Sequence, residues 1–143
     1  MPKIIIPDTS CLIFLEKIGE IQILKELYSR VVTINEITKE YIYSLPKWIK
    51  ISDAREKQYQ KVLEQIVDKG EASIMVLALE TAESVVAIDD LKARKLAKSL
   101  DLQITGTLGI IVKAKKAGLI KSTKECITKL REVDFRISEK IAK

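Results

Sequence analysis

A chain of 143 residues, 47% apolar and 31% charged, has the size and composition of one globular domain with a proper core. It carries a net charge of +5 without a single histidine, which excludes Ser-His-Asp and Cys-His catalysis and the commonest zinc ligand. No apolar run approaches the roughly 20 residues of a membrane span, and the N-terminus lacks a signal-peptide pattern. Cys11 and Cys126 have no CxxC spacing, so a cytoplasmic protein with reduced thiols is expected.

The chain opens on Lys3-Ile4-Ile5-Ile6-Pro7-Asp8-Thr9-Ser10, an apolar run ending in an acid and two hydroxyls. Such a run suits a strand buried on both faces of a parallel sheet, with Asp8 delivered to the edge where α/β proteins keep their sites. A short helix from Cys11 to Glu16 follows, Ser10 being its expected cap, and Gly19 breaks it. Ile21, Leu24, Leu27 and Tyr28 recur at helical spacing, and Val31-Val32-Thr33 supplies a second strand. Asn35 is expected to cap a third helix, with Glu36 in its first turn.

Residues 46–52 read as an extended connection. A helix starting near Asp53 would bury Tyr59, Val62, Leu63 and Ile66, and its charged face shows no chemistry. After the break at Asp68-Lys69-Gly70-Glu71, a stripe of Ala72, Met75, Val76 and Leu79 marks another helix. Ser84 to Ile88 is an apolar strand ending in Asp89-Asp90, and Ala93, Leu96, Ala97 and Leu100 line the helix after it. Leu102 to Thr105 is a last short strand, and Gly106-Thr107 opens a helix with Leu108, Ile111 and Val112. The final ~25 residues form a basic helical extension. Strands alternating with helices predict an α/β fold with a mostly parallel sheet.

Charge and acids both point to a polyanion. Residues 113–143 hold ten Lys/Arg against four Asp/Glu, a local charge of +6, while the remainder carries −1. A basic flank of this kind suits nucleic acid. Asp8, Glu36, Glu71 and Asp89-Asp90 each follow a strand or open a helix, so they reach one sheet edge if their strands are neighbours. Singly, such acids are explained as helix caps. Together they repel one another unless a cation sits among them. An all-oxygen set suits Mg²⁺ or Mn²⁺, which can activate water and stabilise a leaving alkoxide on phosphorus without any histidine. Among the nearby hydroxyls of Thr9, Ser10, Thr105 and Thr107, Ser10, two residues from Asp8, is the expected site group, and the others read as caps.

These segments in this order resemble a PIN-domain protein over roughly residues 3–120: Ile6-Pro7-Asp8-Thr9-Ser10, Asn35-Glu36-Ile37, Asp68-Lys69-Gly70-Glu71-Ala72, Ile88-Asp89-Asp90 with Lys92-Ala93-Arg94, and Thr105-Gly106-Thr107-Leu108-Gly109. The Gly-Glu-Ala, Asp-Asp and Thr-Gly-Thr-Leu-Gly forms resemble a prokaryotic branch related to toxin–antitoxin nucleases. The resemblance implies a three-layer α/β/α sandwich around a mostly parallel sheet of four to five strands, in one domain over residues 1–143. It further implies a Mg²⁺- or Mn²⁺-dependent ribonuclease acting on single-stranded RNA, with a homodimer and an antitoxin as expected partners. Asp8, Glu36 and Glu71 become the first three acids of the metal site, and Asp89 and Asp90 compete for the fourth. Ser10 matches a small polar residue after the first acid and Thr105 a supporting hydroxyl. Lys92, Arg94 and Lys95 are placed to hold the RNA backbone.

The chain departs from the commonest toxin pattern in its acid pair and in Glu71, where many relatives have Asp. The competing expectation is a non-catalytic nucleic-acid-binding or protein-interaction module on the same fold. A haloacid-dehalogenase-type phosphatase is disfavoured because position 10 is Ser where a second Asp is required. A receiver domain is disfavoured because its acid pair would precede the single acid.

Overall fold

In the computed structural model, which describes residues 2–142 with side chains as far as Val133 in the last helix, five strands form one sheet. They are β1 (Ile4–Pro7), β2 (Arg30–Thr33), β3 (Ile49–Ile51), β4 (Ser84–Ala87) and β5 (Ile104–Thr105). Their spatial order is β3-β2-β1-β4-β5, and every pairing is parallel. The connections contain α1 (Thr9–Lys17), α2 (Ile23–Leu27), α3 (Asn35–Glu40), α4 (Lys57–Leu63), α5 (Lys69–Leu79) and α6 (Leu91–Ser99), and α7 (Thr107–Lys116) and α8 (Thr123–Ala142) follow β5. This is the α/β sandwich anticipated from the alternating pattern, with flanking helices on a wholly parallel sheet.

Central position explains composition. Ile4, Ile5 and Ile6 are buried on both faces of β1, between β2 and β4, where β-branched residues pack well. The edge strand β3 falls within the stretch expected to be a plain connection. Only Ile49 of its three residues is buried, so it lacks the apolar run that marks an inner strand.

Helix α5 is buried all round from Gly70 to Ala78, packed against α3, α4, β1 and β4. The expected stripe is therefore too narrow, and its last member, Leu79, is exposed. The face expected for α4 is also corrected. Tyr59, Val62 and Ile66 are exposed, whereas Gln60 and Leu63 are buried. On the other side, α1, α2, α7 and α8 pack among themselves. Gly19 and Gly118, both with φ near +75°, occur just past the ends of α1 and α7, in the left-handed conformation that glycine adopts most readily. Both cysteines are buried free thiols. Among the described residues, no helix is long and apolar enough to cross a membrane.

Candidate functional site

The chain reverses its direction across the sheet between β1 and β4, whose register runs from Ile4 opposite Ser84 to Pro7 opposite Ala87. Ligands of open α/β sheets bind outside the carboxyl ends of the strands at such a switch point. Asp8 and the Asp89-Asp90 pair therefore emerge side by side.

Asp8 leaves β1 and becomes the N-cap of α1, its Oδ1 accepting from the Thr9 backbone N–H at 2.8 Å. The cap is thus Asp8, not Ser10, because an acid at the strand end already satisfies the first orphan amide. Ser10 sits half-buried in the first turn. The Thr9 hydroxyl, read as a cap, is instead buried without a hydrogen-bond partner.

Glu71 reaches the edge through a reciprocal cap. Asp68 accepts from the Glu71 N–H at 2.8 Å, and Glu71 Oε1 accepts from the Asp68 N–H at 3.3 Å. The Asp-x-x-Glu spacing of this box was a sequence signal for the start of α5. Gly70 lies within it, and an added Cβ would collide with the Glu40 carboxylate. Glu40 and Asp68 thus join the acids of this edge, and neither was among the expected site residues.

Asp8 and Glu71 are both buried. Burial, with the charges of Glu71, Asp68 and Glu40, raises Asp8 to about 7. Burial, with the charges of Asp68, Asp90 and Glu40, raises Glu71 to about 7. Burial and neighbouring acids therefore both favour the protonated forms of these two carboxyls.

Asp89 and Asp90 have different employments. Asp90 is exposed and caps α6, its Oδ2 accepting from the Ala93 N–H at 2.9 Å. Its charge reaches Glu71. Asp89 turns the other way and caps α7, accepting from both the Thr107 N–H and the Thr107 hydroxyl. Gly106 makes room for this, since its Cβ would lie 2.8 Å from Asp89 Oδ1 and 2.9 Å from Arg94 Nη1.

Glu36, in the first turn of α3, is held by residues of α4. Gln60 donates to its Oε2 at 2.8 Å, and Lys57 Nζ lies 3.7 Å from the same oxygen. Burial acts to raise Glu36, but the bond from Gln60 and the charges of Lys57 and Lys69 hold it below the usual carboxylate value. Gln60 and Lys57 lie on the helix in which the sequence showed no chemistry, and no local pattern marks them. Asn35 does not cap α3. That place is taken by Ile34, and the Asn35 amide donates to Asp53 at 3.0 Å.

Arg94 is half-buried, and its Nη1 donates to the carbonyls of Ile88 and Thr105 at 2.7 and 3.2 Å. It ties the end of β4 to β5, while Lys92 and Lys95 are exposed on α6. The Thr105 hydroxyl faces Gly109, where an added Cβ would lie 2.7 Å away.

The acids share an edge without being drawn together. Among the described residues, no group of three or more Asp, Glu or Cys is gathered closely enough to hold a metal ion. The caps account for this, since Asp68, Asp89 and Asp90 each hold a helix terminus and Glu36 holds Gln60. The donor chemistry nevertheless fits a hard divalent cation. Asp8 and Glu71 have free oxygen lone pairs and, among the described residues, no basic side chain within ion-pair distance.

No curated protein matches this chain. A family model described as a PIN domain matches residues 4–143, which include every strand and every acid above. Domains of this kind are typically nucleases, bind nucleic acid and generally use divalent metal ions. With its switch-point acids on a parallel five-stranded sheet, the chain belongs to the PIN-domain family.

Proposed function

We propose that the protein is a Mg²⁺- or Mn²⁺-dependent endoribonuclease that hydrolyses phosphodiester bonds of single-stranded RNA. The observation that carries this is the pair of buried carboxylates, Asp8 and Glu71, at the switch point of the sheet, where burial and neighbouring acids disfavour their charged forms and a divalent cation would favour them. Asp8 and Glu71 would hold the ion, with Asp90 and Glu36 at its margin and Asp89 in a supporting place, bonded to Thr107. A bound ion of this type lowers the pKa of water and stabilises a leaving alkoxide.

The chain's own groups do the rest. Glu36, ionised by its contacts with Gln60 and Lys57, keeps negative charge at the edge whatever the state of the pair. Asp8 and Asp90 each commit one oxygen to a helix amide, which fixes the carboxylate and leaves the second oxygen available. Ser10 and Thr105 stand beside the strand ends to orient water or a phosphate oxygen, and exposed Lys92 and Lys95 would hold the RNA backbone. The finer reading, a cytoplasmic homodimeric toxin with an antitoxin partner, rests on the resemblance to the toxin-related branch, from whose commonest pattern the acid pair and Glu71 depart.

The separation of the acids supports a second reading, a non-catalytic RNA-binding or protein-interaction module on this fold. One experiment separates the two. Labelled single-stranded RNA is incubated in Mn²⁺, Mg²⁺ or EDTA with the wild type, Asp8→Asn and Asp90→Asn. Cleavage that needs metal and disappears with Asp8→Asn supports the nuclease. Salt-sensitive binding with no cleavage in any metal sinks it in favour of the module.

A further inference from the structure

Beside the acid edge lies a cavity of about 420 Å³ that none of the preceding chemistry uses. Its walls are Phe14 from α1, Leu108 from α7, and Ile127 and Leu130 from α8, with Asp89 and Arg131 as its charged members. Leu108 is 54% exposed, so this apolar wall is open to a ligand. We infer that this cavity is a nucleobase subsite, receiving one unstacked base of the strand whose backbone runs over the acids. The inference rests on the nuclease reading only in taking single-stranded RNA as the ligand.

Three observations favour a base over other occupants. First, the cavity matches the character of a base, which has apolar faces and a polar edge. Phe14 offers an aromatic surface of the kind on which bases stack regardless of sequence. Asp89 uses two acceptor sites on Thr107, and a carboxylate has about four, so it can still accept from an edge N–H.

Second, the charge around it suits a polyanion. Arg131 is exposed, and α8, which supplies Ile127, Leu130 and Arg131 to the walls, lies within the basic segment 113–143, as does the last turn of α7. Third, the cavity adjoins the proposed site. Asp89 lines it, while Asp90, the next residue and about 3.8 Å away along the backbone, faces the Glu71 side. A strand can therefore place a base here and a neighbouring phosphate on the acids.

The test is equilibrium binding of a fluorescent single-stranded RNA to the full chain in EDTA, where metal-dependent cleavage is off. Phe14→Ala and Leu108→Asn should each weaken binding on the order of tenfold, with Phe14→Tyr close to wild type. Because Leu108 is exposed, its variant reports on the cavity even if Phe14→Ala unfolds the chain. In a series of RNAs each with one abasic nucleotide, one position should show a similar loss, and that loss should vanish in Leu108→Asn. Arg131→Ala should lower the slope of log affinity against log salt by about one.

Wild-type affinity in both cavity variants, or equal binding by every abasic RNA, overturns the subsite. So does a change of oligomeric state on Leu108→Asn, which would show the face to be covered by a second copy. The nuclease reading fails separately. Base-dependent binding without cleavage in Mn²⁺ keeps the subsite and removes the enzyme, whereas Asp8-dependent cleavage with unchanged affinity in Leu108→Asn does the reverse.

Discussion

Thr107 binds both carboxylate oxygens of Asp89, through its backbone N–H at 2.8 Å and its hydroxyl at 2.6 Å. The bond crosses from the end of β4 to the start of α7 and holds the two together at the acid edge. Asp89→Asn replaces one acceptor by a donor facing the hydroxyl, and stability should fall by about 1–3 kcal/mol. Asp90→Asn keeps a good helix cap and removes only charge. Stability should stay within about 0.5 kcal/mol, while metal-dependent cleavage falls on the order of 100-fold. Thermal unfolding and a cleavage assay on both variants check the division of roles.

The Asp8–Glu71 pair sets the pH dependence of the metal-free protein. Both groups have folded values of about 7, against ordinary values of 3.8 and 4.5. The stability they contribute is therefore fully present below about pH 4 and is lost as pH rises through 7. The melting temperature in EDTA should fall between pH 5.5 and pH 8, and Asp8→Asn should flatten that fall. Calorimetry across the range reads it. A wild-type profile that rises over the same interval would contradict the arrangement.

Divalent metal should act in the opposite sense. At pH 8, Mn²⁺ at about 100 times its dissociation constant should stabilise the fold by about 2.7 kcal/mol. Below pH 6 the effect should shrink, since protons compete for the same oxygens. Glu71→Gln should abolish the shift at both pH values, and thermal melts with and without the ion measure it.

Arg94 and its neighbours on α6 should part company. Arg94→Ala loses charge-assisted bonds to the Ile88 and Thr105 carbonyls and should cost about 1.5–3 kcal/mol of stability. Lys92→Ala and Lys95→Ala should leave stability within about 0.5 kcal/mol and each reduce the salt dependence of RNA binding by about one unit of slope. Melting curves and salt titrations of the three variants suffice.

Gly106→Ala brings a methyl to 2.8 Å from Asp89 Oδ1 and 2.9 Å from Arg94 Nη1. Each of those groups is fixed by hydrogen bonds. The crowding should cost about 1–3 kcal/mol, more than Gly70→Ala, where the groups met are side-chain ends, the exposed Glu40 carboxylate and, at 3.2 Å, Ile37 Cδ1. Denaturant unfolding of the two variants compares them.

The features legible in the sequence were those with local causes. β1 and β4 announce themselves because an inner parallel strand is buried on both faces and therefore consists of Ile and Val. Their terminal acids could be read for the same reason. β3 could not, since an edge strand with one buried residue leaves no apolar run. On α4, the apolar Tyr59 and Val62 face water while Gln60 is buried, so of the expected apolar face within this helix only Leu63 lies inside. The engagement of Asp89 with Thr107 could not be read either, because that partner lies on a later helix and its proximity is a property of the fold. The reciprocal cap of Asp68 and Glu71 was written in adjacent residues, and its spacing was the one local signal that composition-based reading passed over.

The register that pairs Ile4 with Ser84 also has a consequence in time. The first strand lies at the centre of the sheet, but one of its two neighbours is encoded more than halfway along the chain. Long-range parallel pairings of this kind form slowly, because a large loop must close before they are rewarded. During synthesis, at roughly 5–20 residues per second, Asp8 and Glu36 emerge many seconds before Asp90, and the Thr107 that orients Asp89 comes later still. A nascent chain therefore carries the acids without their assembly, and the edge is completed only when most of the polypeptide has left the ribosome.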